Sequence, residues 1–185
     1  MKRVLSIQDI SCIGKCSLTV ALPIISAMGI ETSILPTSIL STHTMFNDFT
    51  FRDLTDDMEP IKKHWQKEGF SFDAIYTGYL GSEKQITLVK DYFKTFGNTC
   101  KYIIVDPAMA DNGKLYSGFD KDFPLKMAKL CKYADVILPN ISEAAFMTGM
   151  PYPGENASNE CIKDLLLSLA KLGSKKIVIT GVESA

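Results

Sequence analysis

Apolar residues along this chain gather in short runs, and each run ends in a polar or glycine-bearing stretch. The runs are RVLSIQD (3–9), ETSILPTSIL (31–40), DAIYTGYLG (73–81), KYIIVDPAMAD (101–111), DVILPN (135–140) and KKIVITG (175–181). Several are nearly continuous in apolar and β-branched residues, the pattern of strands buried on both faces. Between the runs the period changes. In SEKQITLVKDYFKTFG, residues Ile86, Val89, Tyr92 and Phe93 recur on one helical stripe. In NECIKDLLLSLAKLG, residues Ile162, Leu165, Leu166, Leu169 and Leu172 do the same, and Gly173 supplies a stop. Segment 17–29 is apolar almost all round, which predicts a buried helix kinked at Pro23. Strands and helices alternating at this spacing predict an α/β fold of three layers, with a mostly parallel central sheet between helices. A length of 185 residues fits a single domain over 1–185.

In sheets of this kind ligands gather at the carboxyl ends of the strands. The residues after each run therefore come into focus: Gln8-Asp9, Ser41 to Thr44, Gly78 to Gly81, Asp106-Pro107, Asp111, Asn140 to Glu143, and Thr180-Gly181. They form a rim of acids, hydroxyls and glycines.

The first loop, SCIGKCSLTV (11–20), invites a phosphate-loop reading through Gly14-Lys15. That motif needs a glycine five residues earlier and a Ser or Thr after the Lys. The chain has Asp9 and Cys16 there, and no two of its glycines are spaced i, i+2, so the dinucleotide fingerprint is missing too. Charge narrows the classes further. A net charge of −1 provides no basic field for nucleic acid or acidic lipid. The longest apolar stretch, Leu18–Ile30, is too short to span a bilayer, and MKR with Gln8 and Asp9 close behind makes a poor signal peptide. Cys12, Cys16, Cys100, Cys131 and Cys161 are an odd set without a C-x-x-C pair, which points to a reducing, cytoplasmic setting and away from structural zinc.

Each candidate carries two readings. Asp106, with Asp111 five residues on, ends a strand; two carboxylates there suit Mg²⁺ held through water, and Asp-Pro is also a common turn starter. Asn140 and Glu143 have the spacing of an N-cap and its reciprocal acid, and equally of a second metal-binding pair at a helix start. His43 suits a proton shuttle or a donor to a substrate, or is a loop residue without a task. His64 lies on a charged helical face. Tyr79 stands between glycines that allow close backbone approach, and its ring suits a flat ligand.

Taken in order, SIQD…G…PTSILSTHT…GYLG…VDPAMAD…LPNxxE…VITG resembles the pyridoxal kinase family of the ribokinase-like superfamily, from the first strand to the last residue. The resemblance implies transfer of the γ-phosphate of ATP to the 5′-hydroxyl of pyridoxal, pyridoxine or pyridoxamine. It implies Mg²⁺, often K⁺, and a homodimer, with no nucleic acid or membrane partner. It implies a vitamer site at Asp9, His43, Thr44, Met45 and Tyr79. It implies a nucleotide side at Asp106, Leu138, Asn140, Glu143, Thr180 and Gly181, with Asp106 and Glu143 on the metal. Asp111 matches less securely. Family members often have Ser at the position of Asp9. The family's G-T-G-D-like motif, which carries the catalytic Asp and the anion hole, is expected beyond Ala185, so the 185 residues alone are expected to be a truncated, inactive N-terminal two thirds. Two alternatives stand beside this: a hydroxymethylpyrimidine kinase on the same scaffold, and a non-catalytic α/β ligand-binding fragment.

Overall fold

Why the chain starts with a strand is plain from its first run. RVLSIQDIS has no helix cap and offers Leu5 and Ile7 to one face. In the structure, a computed structural model that describes residues 1–154 and 156–182, this run is β1 (Arg3–Ser11). The chain forms two compact units, Met1–Ile103 and Ile104–Ala185.

In the first unit β1 is followed by α1 (Leu18–Ala27), β2 (Glu31–Leu40), β3 (Phe51–Asp53), α2 (Thr55–Lys67), β4 (Ala74–Thr77) and α3 (Glu83–Phe96). The strand order is β3-β2-β1-β4; β2 and β4 run parallel to β1, and β3 runs antiparallel to β2. Leu5, Ile7, Leu35, Met58, Ile75, Val89 and Tyr92 are fully buried and make the core. The Tyr92 hydroxyl donates to the Met58 carbonyl at 2.6 Å, so the one polar atom of that ring is satisfied. The stripe expected on α3 holds, since Ile86, Val89, Tyr92 and Phe93 all face the core.

Proline decides one detail of β2. Pro36 has no N–H to give, and the ladder slips beside it: Gln8 pairs with Pro36, but Ile10 pairs with Ile39. One extra residue of β2 therefore bulges opposite Asp9.

Segment 17–29 departs from expectation. The helix forms, but only Leu18 and Ala21 are buried, while Ile24 is 55% and Met28 70% exposed. Its apolar residues cover more than one face, and only one face of a helix can lie against a sheet.

Strand β5 (Tyr102–Val105) spans the boundary, and the second unit goes on through β6 (Ala110–Asp111), β7 (Lys114–Leu115), α4 (Phe123–Cys131), β8 (Val136–Ile137), α5 (Ile141–Thr148), α6 (Asn159–Ala170) and β9 (Lys176–Ile177). Strands β5, β8 and β9 are parallel neighbours in that order. The run 101–111 is not one strand: after Val105 the chain turns and re-forms as the β6–β7 hairpin, whose turn has Asn112 at φ 49° and Gly113 at φ 70°. Asn-Gly is the favoured pair for such a turn. The run 175–181 is strand-like beyond β9, because Thr180 bridges to Asn140 and its N–H donates to the Pro139 carbonyl at 2.9 Å. Residues Glu183–Ala185, at the end of the GVESA stretch, lie outside the described residues.

Candidate functional site

In the first unit the polar residues collect where β1, β2 and β4 end. Asp9 is only 4% exposed. Its Oδ2 accepts from the Ser11 hydroxyl at 3.2 Å. Burial raises its pKa above the usual carboxylate value, while the Ser17 and Ser11 hydroxyls favour the ionised form. Ser17 stands at φ 50°, an uncommon conformation for a residue with a side chain, at the start of α1. Tyr79 is half-buried, and its phenol is raised by burial and then by the charges of Asp9 and Asp53. Asp9 and Tyr79 thus share one electrostatic neighbourhood.

Two glycines permit the close packing here. A Cβ on Gly78 would come within 2.9 Å of Gln8 Oε1, so the turn leading to Tyr79 sits directly on the Gln8 side chain. A Cβ on Gly14, at φ 124°, would come within 3.0 Å of His43 Cδ2. The first loop and the STHT loop therefore touch through His43, whose ring lies 4.8 Å from that of Phe46. Thr44 and Met45 are on the same loop and exposed, Met45 at 89%.

Sequence reasoning missed the residue that holds this rim together. Gln85 is fully buried; its Oε1 accepts from Gly81 N at 2.8 Å, and its Nε2 donates to Thr37 O at 2.9 Å and to Thr55 Oγ1 at 3.0 Å. It ties the GYLG turn to the bulge in β2. A glutamine in the first turn of a helix, three residues after the capping Ser82, was the available signal.

In the second unit the capping reading of Asn140 and Glu143 holds in full. Asn140 Oδ1 accepts from Glu143 N at 2.9 Å, and Glu143 Oε2 accepts from Asn140 N at 2.8 Å. Glu143 Oε1 also accepts from Met109 N at 3.1 Å, and Asn140 Nδ2 donates to Ala110 O at 2.8 Å. The start of α5 is thus bound to the loop after β5. Glu143 is 2% exposed, and burial, followed by the charge of Asp106, pushes it up to about 8. Burial pushes Asp106 up to about 6. The Tyr116 phenol is pushed up to about 12 by burial and by the charges of Glu143, Asp111 and Asp106. Tyr116 joins the acids through the N–H it donates to Met109 O at 2.9 Å, a contact that the sequence pattern did not reveal.

Asp111 is the last residue of β6. It is exposed in the hairpin turn, where its Oδ1 accepts from Asn112 N at 3.0 Å. Leu138 is half-buried and donates its N–H to Val105 O at 2.9 Å. Thr180 and Gly181 are exposed, with Gly181 at φ 70°. Among the described residues, no three His, Cys, Asp or Glu side chains gather as a ready metal cage.

Both units are thus mostly parallel α/β structures with polar side chains at strand ends, the class in which small ligands bind at those ends. Residues 31–185 match the family model described as phosphomethylpyrimidine kinase, and the chain belongs to that family. A protein of Bacteroides thetaiotaomicron, described as a phosphomethylpyrimidine kinase and crystallised with pyridoxal, is 42% identical at a TM-score of 0.93; the match covers 99% of this chain and 64% of that one. The pyridoxal kinase of Lactobacillus plantarum is 35% identical at a TM-score of 0.90, covering 100% of this chain and 66% of that one. A pyridoxal kinase of Actinobacillus pleuropneumoniae is 27% identical over 97% of this chain. This chain spans 63% of that relative's length and 54% of a Schizosaccharomyces pombe one.

Proposed function

We propose that the protein is an ATP-dependent kinase acting on the hydroxymethyl group of a flat heteroaromatic ring, with B6 vitamers as its substrates. The observation that carries this reading is the 42% identity to a protein crystallised with pyridoxal, and the rim of Asp9, His43, Thr44, Met45 and Tyr79 in the first unit supports it. Tyr79 offers a ring face, Thr44 a hydroxyl and Asp9 an acceptor. In the second unit, Asp106, Leu138, Asn140, Glu143, Thr180 and Gly181 serve the nucleotide.

The acids suit Mg²⁺. Asp106 and Glu143 are close enough for the charge of one to raise the other, and a divalent cation relieves that repulsion. Because Glu143 already accepts two backbone N–H groups, Asp106 is the residue that faces the ion through water, and Glu143 holds the helix start in place. Bound there, Mg²⁺ would screen the charge of a polyphosphate, a main requirement of phosphoryl transfer. The chain's own residues bind and orient: hydroxyls and the phenol set the ring, and the capped helix fixes the acid pair. We extend the reading to a cytoplasmic homodimer with K⁺ as a helper ion. The five free cysteines support the compartment, and the exposed Leu22 and Ile24 of α1, with Met28 just after it, support a partner surface.

A second reading has its own support. The family model is described by phosphomethylpyrimidine, and a hydroxymethylpyrimidine/phosphomethylpyrimidine kinase of Haemophilus influenzae is 30% identical over 64% of this chain. Purified full-length protein should convert pyridoxal and ATP to a phosphorylated product when both are supplied with Mg²⁺. Turnover of hydroxymethylpyrimidine with none of pyridoxal would establish the second reading, and no turnover of either would leave a ligand-binding protein.

A further inference from the structure

The lining of the first unit holds more polar atoms than it pairs. Asp9 Oδ1 is buried and accepts no hydrogen bond, and Ser38 Oγ and Thr77 Oγ1 are buried without partners as well. The register puts all three on one face. Ile7, two residues before Asp9, pairs with Thr77, and Ser38 lies in the bulge opposite Asp9. Gln8 is turned to the other face, where its Nε2 donates to Ser6 Oγ at 3.0 Å. No ion pair reaches Asp9 among the described residues.

A buried carboxylate oxygen without a partner is expensive, and a charged donor offsets that cost better than a neutral one. Neutral donors are already at hand in Ser11 and Ser17, yet Oδ1 is left open. Tyr79 stands in the same electrostatic neighbourhood and offers an aromatic face. We propose that Asp9 is a specificity-determining residue whose open oxygen accepts a hydrogen bond from a cationic ring N–H of the bound heteroaromatic ligand. This rests on the ring-kinase reading above. It does not depend on the choice between a pyridine and a pyrimidine, since both carry a basic ring nitrogen.

The test is calorimetric binding to the full-length protein without ATP. Three probes are compared: pyridoxine, its analogue with C–H in place of the ring nitrogen, and its N-methylpyridinium analogue, which keeps the charge and loses the donor. The native protein should bind pyridoxine roughly 10- to 100-fold more tightly than either analogue, the worth of one charge-assisted hydrogen bond. Asp9→Asn and Asp9→Ser should each bring the carbon analogue to within about threefold of pyridoxine, with ATP affinity unchanged. If neither variant folds, the native protein's preference over both analogues still decides. Equal binding of pyridoxine and the carbon analogue overturns the role of Asp9 and leaves the ring-kinase reading standing. Equal binding of pyridoxine and the N-methyl analogue does the same, because charge without a donor would then suffice. A preference that survives in both folded variants also overturns it. Binding of no ring at all overturns both.

Discussion

Glu143 does two things that pull against each other. Its carboxylate closes the capping box of α5 and accepts from Met109 N, which ties the helix to the loop after β5. The same carboxylate lies in an apolar setting beside Asp106, and the two causes together push it up to about 8 from 4.5. The sign of the effect on stability follows. Between those two values the folded chain keeps a proton that the unfolded chain has released, so folding loses ground as the pH rises through that window. Glu143→Gln removes the titration and also costs a hydrogen bond, because an amide NH₂ cannot accept from a backbone N–H. In thermal melts with chelator, the native protein should lose more stability than Glu143→Gln between about pH 5 and about pH 8, by roughly 4 °C or more. A parallel decline of the two proteins would mean that Glu143 is ionised throughout. At the same scale Asp106, at about 6, should lose its proton before Glu143 does as the pH rises.

At the scale of elements, the hairpin β6–β7 is where the sequence pattern and the structure part company. A run of apolar residues from Lys101 to Asp111 reads as one strand, but Asp106-Pro107 breaks it, and Asn112-Gly113 turns what remains back on itself. The turn is packed from above: a Cβ on Gly113 would lie 2.5 Å from Tyr152 Cδ1, and Gly113 N donates to Ser142 Oγ at 2.8 Å. Gly118, at φ 94°, has nothing within 4 Å. The pair separates backbone strain from close approach. In urea denaturation Gly118→Ala should cost about 1 kcal/mol, the left-handed penalty alone. Gly113→Ala should cost roughly 1–3 kcal/mol more. Equal costs would mean that Tyr152 moves aside freely. Elements whose apolar period is unbroken, α3 and α6 among them, were legible because local pattern and tertiary burial agree. α1 was legible as a helix and not as to burial, since composition alone does not say how many faces will be covered. That polar residues would stand at the strand ends was legible from topology, whereas Gln85 and Tyr116 act through contacts that only the folded chain brings together.

For the molecule as a whole, the residues proposed for the site divide between the two compact units: those proposed for the ring lie in the first, and those proposed for the nucleotide and its metal lie in the second. Their losses should therefore be separable. Thr44→Val and Tyr79→Ala should weaken vitamer binding about tenfold each and leave ATP affinity nearly unchanged. Asp106→Asn should do the reverse, weakening Mg²⁺-dependent nucleotide binding by about tenfold or more without affecting the vitamer. Titration calorimetry with each ligand alone checks both, and equal weakening of both ligands by any one variant would break the division.

The bulge in β2 has a consequence for chain length. Leu35 before it, Thr37 and Ser38 within it, and Leu40 after it are all buried, so the inward and outward positions change phase there. A chain shorter by one residue between Pro36 and Ile39 would leave the pairing on either side intact and keep Leu35 and Leu40 where they are. What it would lose is the slack opposite Asp9, along with the Thr37 carbonyl that Gln85 and Leu54 both use. A one-residue length difference at this point is thus a change in the surroundings of Asp9 carried on an unchanged sheet.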